Sequence, residues 1–187
     1  LAIGLDPEAK LLRCESGVSV PYDLISIDIG AAPTRHLQHH STGIGIPVKP
    51  VDRYLQEWDR VLQLSRQRPL DLVVVGGGAG GVEITLAMQH RLSRLTPRPS
   101  VRFSVVTMTD TIMPDHCTGV RRRLERTLER RGVALHVRRR VVGREGDCLL
   151  LESGERLQAD CIFSAVGAQP SDWLAQAGLK TDAAGFV

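Results

Sequence analysis

The stretch Leu72-Val73-Val74-Val75-Gly76-Gly77-Gly78-Ala79-Gly80-Gly81-Val82-Glu83 decides how this chain folds. A short apolar run of strand type meets five glycines in six residues, and helical apolar spacing resumes directly after them. Strand, glycine turn and helix in that order are the setting in which G-x-G-x-x-G marks a dinucleotide site. Gly76 permits the turn off the strand. Gly78 lets the backbone approach a pyrophosphate with no Cβ in the way, and Gly81 lets the helix lie close on the strand. The helix start then turns free N–H groups and the positive end of its dipole toward the phosphates. Gly76, Gly77, Gly78, Ala79, Gly80 and Gly81 are therefore the expected cofactor-binding residues of the turn.

Upstream, Val51, Tyr54, Leu55, Trp58, Val61 and Leu62 recur at helical spacing until Pro69. This predicts a helix from Val51, with Trp58 in the core and not stacked on a flavin. Downstream, a strand over 71–75 leads to a helix over about 80–94, a strand over 101–107 and a helix over about 117–131. Val120, Leu124 and Leu128 form the apolar stripe of that second helix, and Gly132 stops it. Short strands follow around 133–142, 147–152 and 156–158, then a buried-type strand over 161–165. The fold class is α/β: a Rossmann-like dinucleotide-binding domain with an inserted β-meander, closed by a last parallel strand. Ahead of it lie strand-like pieces over 1–3, 10–14, 18–20 and 24–29, the last ended by a loop at 30–33. A stretch rich in Thr, His, Gly and Pro then runs to Pro50 and reads as a linker.

With 187 residues the chain buries a proper core, and 42% hydrophobic with 24% charged residues is ordinary for a globular protein. Its 24 basic and 21 acidic residues leave a net charge of +3, which gives no case for a nucleic-acid partner. Aromatics at 4% leave few platforms for base stacking. No apolar run reaches bilayer length and the first residues do not read as a signal peptide, so a cytoplasmic setting is expected. The lack of an initial methionine and the strand-like ends 1–3 and 185–187 suggest an excerpt of a longer protein.

Cys14, Cys117, Cys148 and Cys161 form no close pair and read as reduced thiols, with Cys117 the best redox candidate. His36, His39 and His40 invite a metal reading, but no carboxylate or cysteine joins them, so no metal site is expected. Arg121, Arg122, Arg123, Arg126, Arg130 and Arg131 are interleaved with Glu125 and Glu129. They read as a solvated helix face laced with weak ion pairs, not as an anion site. Neither G-x-S-x-G nor H-E-x-x-H occurs, and no catalytic side chain is expected.

Several stretches, in this order, resemble the pyridine nucleotide-disulfide oxidoreductase superfamily of flavoproteins with two dinucleotide-binding domains. Tyr22-Asp23-Leu24-Ile25-Ser26-Ile27-Asp28-Ile29-Gly30-Ala31-Ala32-Pro33 resembles the strand and loop beside the flavin. Ile46-Pro47-Val48-Lys49-Pro50-Val51-Asp52 resembles the hinge into the nucleotide domain, and Val75 to Glu83 the NAD fingerprint. Ser164-Ala165-Val166-Gly167-Ala168-Gln169-Pro170 is similar to the family's return segment, and Gly185-Phe186-Val187 to the start of re-entry into the flavin domain. Within the superfamily the chain resembles type II NADH dehydrogenase-like proteins, including the branch fused to selenide, water dikinase.

The resemblance implies partial FAD-domain strands and linker over 1–48, an NAD(P)H-binding domain over 49–168 and a return segment over 169–187. It implies FAD in the full-length protein, and NAD(H) more than NADP(H). The activity would be hydride transfer from NADH to flavin and onward to a quinone or other acceptor. A non-catalytic NAD(H)-binding regulatory module is the alternative. The implied partners are the nicotinamide cofactor, the missing FAD-domain segments of its own chain and a second copy in a homodimer. The full-length form would be cytoplasmic or peripheral at the inner membrane. By resemblance Glu83 lies near the nicotinamide; a plain helix-N-terminal acid is the equal alternative. By the same resemblance Val166 and Gly167 are cofactor-binding residues; Gly167 lets the return strand approach the cofactor, with a simple turn glycine as its competing reading. Thr107 stands where NADH-using relatives carry an acid for the ribose hydroxyls. Asp110 is a second route to the ribose, and no Arg or Lys for a 2′-phosphate follows until Arg121. The FAD fingerprint is absent, and with no vicinal cysteines a dithiol relay is not expected.

Overall fold

Along β6 (Leu70–Val75) successive side chains point to opposite faces of one sheet, and each face has its own cover. The computed structural model describes residues 1–30, 32–33, 44–49, 51–95, 97 and 100–187. In chain order the elements before β6 are β1 (Ala2–Asp6), β2 (Leu11–Cys14), β3 (Ser19–Pro21), β4 (Ala32–Pro33), β5 (Ile46–Pro47) and α1 (Val51–Ser65). After it come α2 (Ala79–Ser93), β7 (Val101–Val106), α3 (Thr118–Arg130), β8 (Val133–His136), β9 (Val141–Glu145), β10 (Cys148–Leu151) and β11 (Arg156–Gln158). The last are β12 (Cys161–Ser164), β13 (Ala168–Gln169) and α4 (Asp172–Gln176). They divide into two units, Leu1–Arg35 with Gly167–Val187, and His36–Val166.

The second unit holds a parallel sheet in the order β5-β12-β6-β7-β8. Leu70, Leu72 and Val74 of β6, Phe103 and Val105 of β7, and Cys161 and Phe163 of β12 face α1, α2 and α3. Val73, Val75, Val106 and Ile162 face the other way, onto Leu149 and Leu151 of the β9-β10-β11 meander. A parallel sheet covered on both sides needs apolar residues at nearly every position, which is why its strands read as unbroken valine and leucine runs. Trp58 is buried in the helix-side core, as expected, and Tyr54 meets the Phe163 ring edge-on at 5.4 Å. Burial pushes the Tyr54 hydroxyl up to about 12.

The N-terminal ends of the strands are tied by charge. Asp160 accepts the Asp71 N–H and an Arg68 guanidinium N–H, each at 2.7 Å. Arg102 clamps the Asp71 carboxylate through Nε and Nη2, both at 2.6 Å.

In the first unit, β1, β2 and β3 form an antiparallel sheet, β4 pairs with β13, and α4 packs on β1. Several expectations change here. Residues 24–29 form no strand: none of the described residues pairs with them, and Leu24 is 93% exposed. Alternating polarity alone makes no ladder. Ala32–Pro33, read as loop, is a short strand. Residues 185–187 do not begin a strand, because a turn closes on them: the Asp182 N–H reaches the Phe186 carbonyl at 2.8 Å. Helix α4 is an addition that the sequence reading did not contain.

In the second unit, the end of the supposed linker supplies the edge strand β5 and the buried Ile44. A proline-containing strand fits there because an edge needs bonds on one side only. Most of that stretch, with His36, His39 and His40, lies outside the described residues. The strand expected over 133–142 is two strands, separated where Arg138 takes φ +54° and the chain changes sheet. Val51 and Leu55 point outward from α1, so its buried stripe is the narrower Tyr54, Trp58, Val61 and Ser65. On α3, Val120 is exposed while Leu128 is fully buried, and Gly132 ends the helix at φ +70°.

Candidate functional site

The turn 76–81 lies where β6 ends between β12 and β7, at the carboxyl ends of parallel strands. In open α/β sheets that is the position where ligands bind. The buried Gly76 donates to the Val106 carbonyl at 2.8 Å and sits at φ +122°. A Cβ on it would lie 2.6 Å from the Ala165 carbonyl oxygen. A Cβ on Gly77 would lie 2.8 Å from the Thr107 Cβ, and one on Gly81 would collide with the Gly76 carbonyl. The Gly77 carbonyl accepts the Met113 N–H, and the Gly81 carbonyl the Thr85 hydroxyl, each at 2.7 Å. These three glycines are the close-packed side of the turn.

Gly78 and Gly80 form its open side, where a Cβ would meet nothing within 4 Å. Gly78 is the N-cap of α2, with extended backbone, and no side chain caps the helix. The N–H groups of the first helical turn have no intrahelical acceptor, and around Gly78 and Gly80 there is open space with the dipole behind it. Ala79 starts the helix half-buried against the core. Bare backbone, an uncapped helix and room for phosphate oxygens fit a dinucleotide diphosphate.

Thr107 is buried beside Gly77 at the end of β7. Its N–H donates to the His136 carbonyl at 2.9 Å, and its carbonyl accepts the Arg139 N–H at 2.9 Å. The Thr109 hydroxyl gives its proton to the Thr111 carbonyl at 2.7 Å, so Thr107 must donate across the 2.8 Å Thr107–Thr109 contact. The Thr107 oxygen keeps acceptor capacity but carries no charge. Asp110 is exposed. The backbone of the basic residues 138–139 runs beside this strand end: the Arg138 N–H reaches the Thr109 carbonyl at 2.8 Å. Arg139 and Arg140 pair with Glu155 and Glu152 at 3.5 and 3.7 Å.

Glu83 is exposed on α2, beyond a first turn that carries no acid, so it is not a helix-N-terminal acid. Val166 is half-buried, its Cγ1 3.3 Å from where a Gly76 Cβ would stand. Gly167 is exposed at φ +52° and belongs to the other unit. The structure thus gathers Gly76, Gly77, Gly78, Ala79, Gly80, Gly81, Thr107 and Val166, with Glu83 one turn along the helix. The sequence reading missed Ala165 and Met113, which brace the turn from distant segments; the small side chain at 165 was the only visible hint.

All four cysteines are free, and Cys117 is exposed at the N-cap of α3. Burial, followed by the nearby Asp160 charge, raises the Cys161 thiol. Among the described residues no cluster of His, Cys, Asp or Glu could hold a metal, and no helix is long and apolar enough to cross a membrane. No ion pair within 4 Å joins the α3 arginines to Glu125 or Glu129 among the described residues. Glu125 instead accepts the Thr111 hydroxyl at 2.9 Å. The expected lacing of that helix face is absent.

Rubredoxin-NAD(+) reductase of Pseudomonas putida is 29% identical over 176 residues, covering 90% of this chain and 42% of the relative. The ferredoxin–NAD(+) reductase component of a biphenyl dioxygenase system from Paraburkholderia xenovorans is 28% identical, covering 97% of this chain and 44% of its own length. The chain therefore spans less than half the length of these curated relatives. A solved ferredoxin reductase from Rhodopseudomonas palustris shares the fold with a TM-score of 0.75 at 20% identity, over 97% of this chain and 44% of that one. These names give the narrower likeness to type II NADH dehydrogenases, and to the branch fused to selenide, water dikinase, no support. With its sequence matched over residues 2–187, the chain belongs to the pyridine nucleotide-disulphide oxidoreductase family.

Proposed function

We propose that residues 49–168 are the nicotinamide-dinucleotide-binding domain of an FAD-dependent NADH oxidoreductase, and that 1–48 and 169–187 belong to its flavin domain. The observation that carries this reading is the open face of Gly78 and Gly80 at an uncapped helix start, beside a turn closed at Gly76, Gly77 and Gly81. Relatives named as NAD(+) reductases of rubredoxin and ferredoxin favour a small one-electron carrier protein as acceptor over a quinone, and give a regulatory module no support.

When bound, the two cofactors supply the hydride chemistry themselves. The protein's part is placement. N–H groups of Gly78, Ala79 and Gly80 hold the diphosphate, and the braces from Ala165, Thr107 and Met113 keep that cradle from adjusting. Glu83 and Val166 would lie on the nicotinamide side, with Gly167 in the segment that returns to the flavin domain. Thr107 offers the ribose one neutral acceptor. A carboxylate there would bind both ribose hydroxyls and repel a 2′-phosphate, so its absence makes the preference for NADH over NADPH small. Titrating the 187-residue chain with each nucleotide and following nicotinamide fluorescence tests this. Binding of both with NADH modestly tighter is expected. Binding of neither, while the chain is folded, would refute the site.

A further inference from the structure

We infer that Thr109 is a positioning residue for nucleotide choice, because its hydroxyl holds that of Thr107 as an acceptor toward the dinucleotide. That polarity favours a ribose hydroxyl over a 2′-phosphate. The inference rests on the reading of the turn 76–81 as the dinucleotide site. Thr107, Thr109 and Thr111 alternate along the segment that follows β7. The Thr111 hydroxyl donates to the Glu125 carboxylate at 2.9 Å, which ties the segment to α3. The Thr109 hydroxyl donates to the Thr111 carbonyl at 2.7 Å and so has no proton left for Thr107. Across the 2.8 Å between the two hydroxyls, Thr107 therefore gives its own proton to Thr109.

The Thr109 N–H, at 3.4 Å, takes one lone pair of the Thr107 oxygen and leaves the other. That oxygen lies 2.9 Å from where a Gly77 Cβ would stand, against the glycine turn. Backbone bonds of 2.8 to 2.9 Å pin the segment: the Thr107 N–H meets the His136 carbonyl, and the Thr107 and Thr109 carbonyls accept from Arg139 and Arg138. Thr107 thus offers a ligand a lone pair and no proton. It has the polarity of a carboxylate without the charge. A ribose hydroxyl can donate to it. At about pH 8 a phosphate monoester is a dianion with acceptors alone, so two sets of lone pairs would face each other. Without the Thr109 hydroxyl, the Thr107 proton is free to turn toward a phosphate oxygen. A ribose hydroxyl both donates and accepts, so it tolerates either arrangement.

Fluorescence titration of the 187-residue chain with NADH and with NADPH, at about pH 8, tests this, with circular dichroism confirming that each variant is folded. The unaltered chain should bind NADH the tighter. Thr109→Val should shift the ratio of the two affinities about tenfold toward NADPH, through a gain for NADPH and not a loss for NADH. Thr109→Ser keeps the hydroxyl and should keep the original ratio. Thr109→Ala repeats the test if the valine variant does not fold. In a Thr107→Val background there is no hydroxyl to hold, and adding Thr109→Val should leave the ratio unmoved. An unaltered chain that favours NADPH, a ratio indifferent to Thr109→Val, a shift that Thr109→Ser shares, or one that persists in the Thr107→Val background would each overturn the inference and leave the nucleotide site standing. Binding of neither nucleotide by the folded chain would refute the site itself, and the inference with it.

Discussion

At the N-terminal ends of β6, β7 and β12 the chain satisfies its own polar groups, with Asp160, Asp71, Arg68 and Arg102 joined by bonds of 2.6 to 2.7 Å. At the C-terminal ends of the same strands it leaves a helix uncapped and exposes Gly78 and Gly80 to open space. The first end is finished by folding. The second is left open at the site where we propose that the dinucleotide binds. The difference teaches where to look in a parallel sheet: the end whose backbone donors lack partners is the functional one.

The largest expected effect separates the packed glycines from the open ones. Gly81→Ala drives a methyl into the Gly76 carbonyl and should cost about 3 kcal/mol of stability, read by denaturant unfolding. Gly78→Val should leave the melting temperature nearly unchanged, since its Cβ meets nothing, yet weaken nucleotide binding about a hundredfold, or about 2.7 kcal/mol. Retained affinity in that variant would erase the contrast between the two sides of the turn. At the opposite end, Asp160→Asn should cost about 1 kcal/mol, because one amide oxygen replaces two acceptors, with nucleotide affinity unchanged.

Asp160 also sets a pH response. Desolvation raises its carboxyl, but the Asp71 N–H and the Arg68 guanidinium outweigh that, and the net shift is downward. A carboxyl lowered in the folded state stabilises above its unfolded value and loses that contribution as pH falls through the folded one. Stability should therefore hold at neutral pH and decline below about pH 4, less steeply in Asp160→Asn. Melting curves in acid for both chains would show it.

The glycine turn is legible in the sequence because its parts are neighbours: four apolar residues, five glycines and a helix start lie within twelve positions. The meander and β12 are legible for a similar reason, since hairpin signals and buried runs are local. Residues 24–29 mislead because a strand is a property of two segments, and a single stretch shows only its half. Strand β5 is hidden by its brevity and its proline. The bracing of Gly77 by Thr107 and Met113, and of Gly76 by Ala165, joins segments that only the folded chain brings together. No spacing rule reaches across such distances.

Strand β12 comes last in its unit, yet it lies in the interior of the sheet, between β5 and β6, and its successor Ala165 donates to the Val75 carbonyl at 2.8 Å. A nascent chain that has emerged from the ribosome only through the meander thus has a gap between β5 and β6, where β12 belongs. Gly76 then has nothing to press against, and the anion cradle stays loose until synthesis passes Ala165. The nucleotide site that we propose is therefore complete only when β12 and Ala165 are in place.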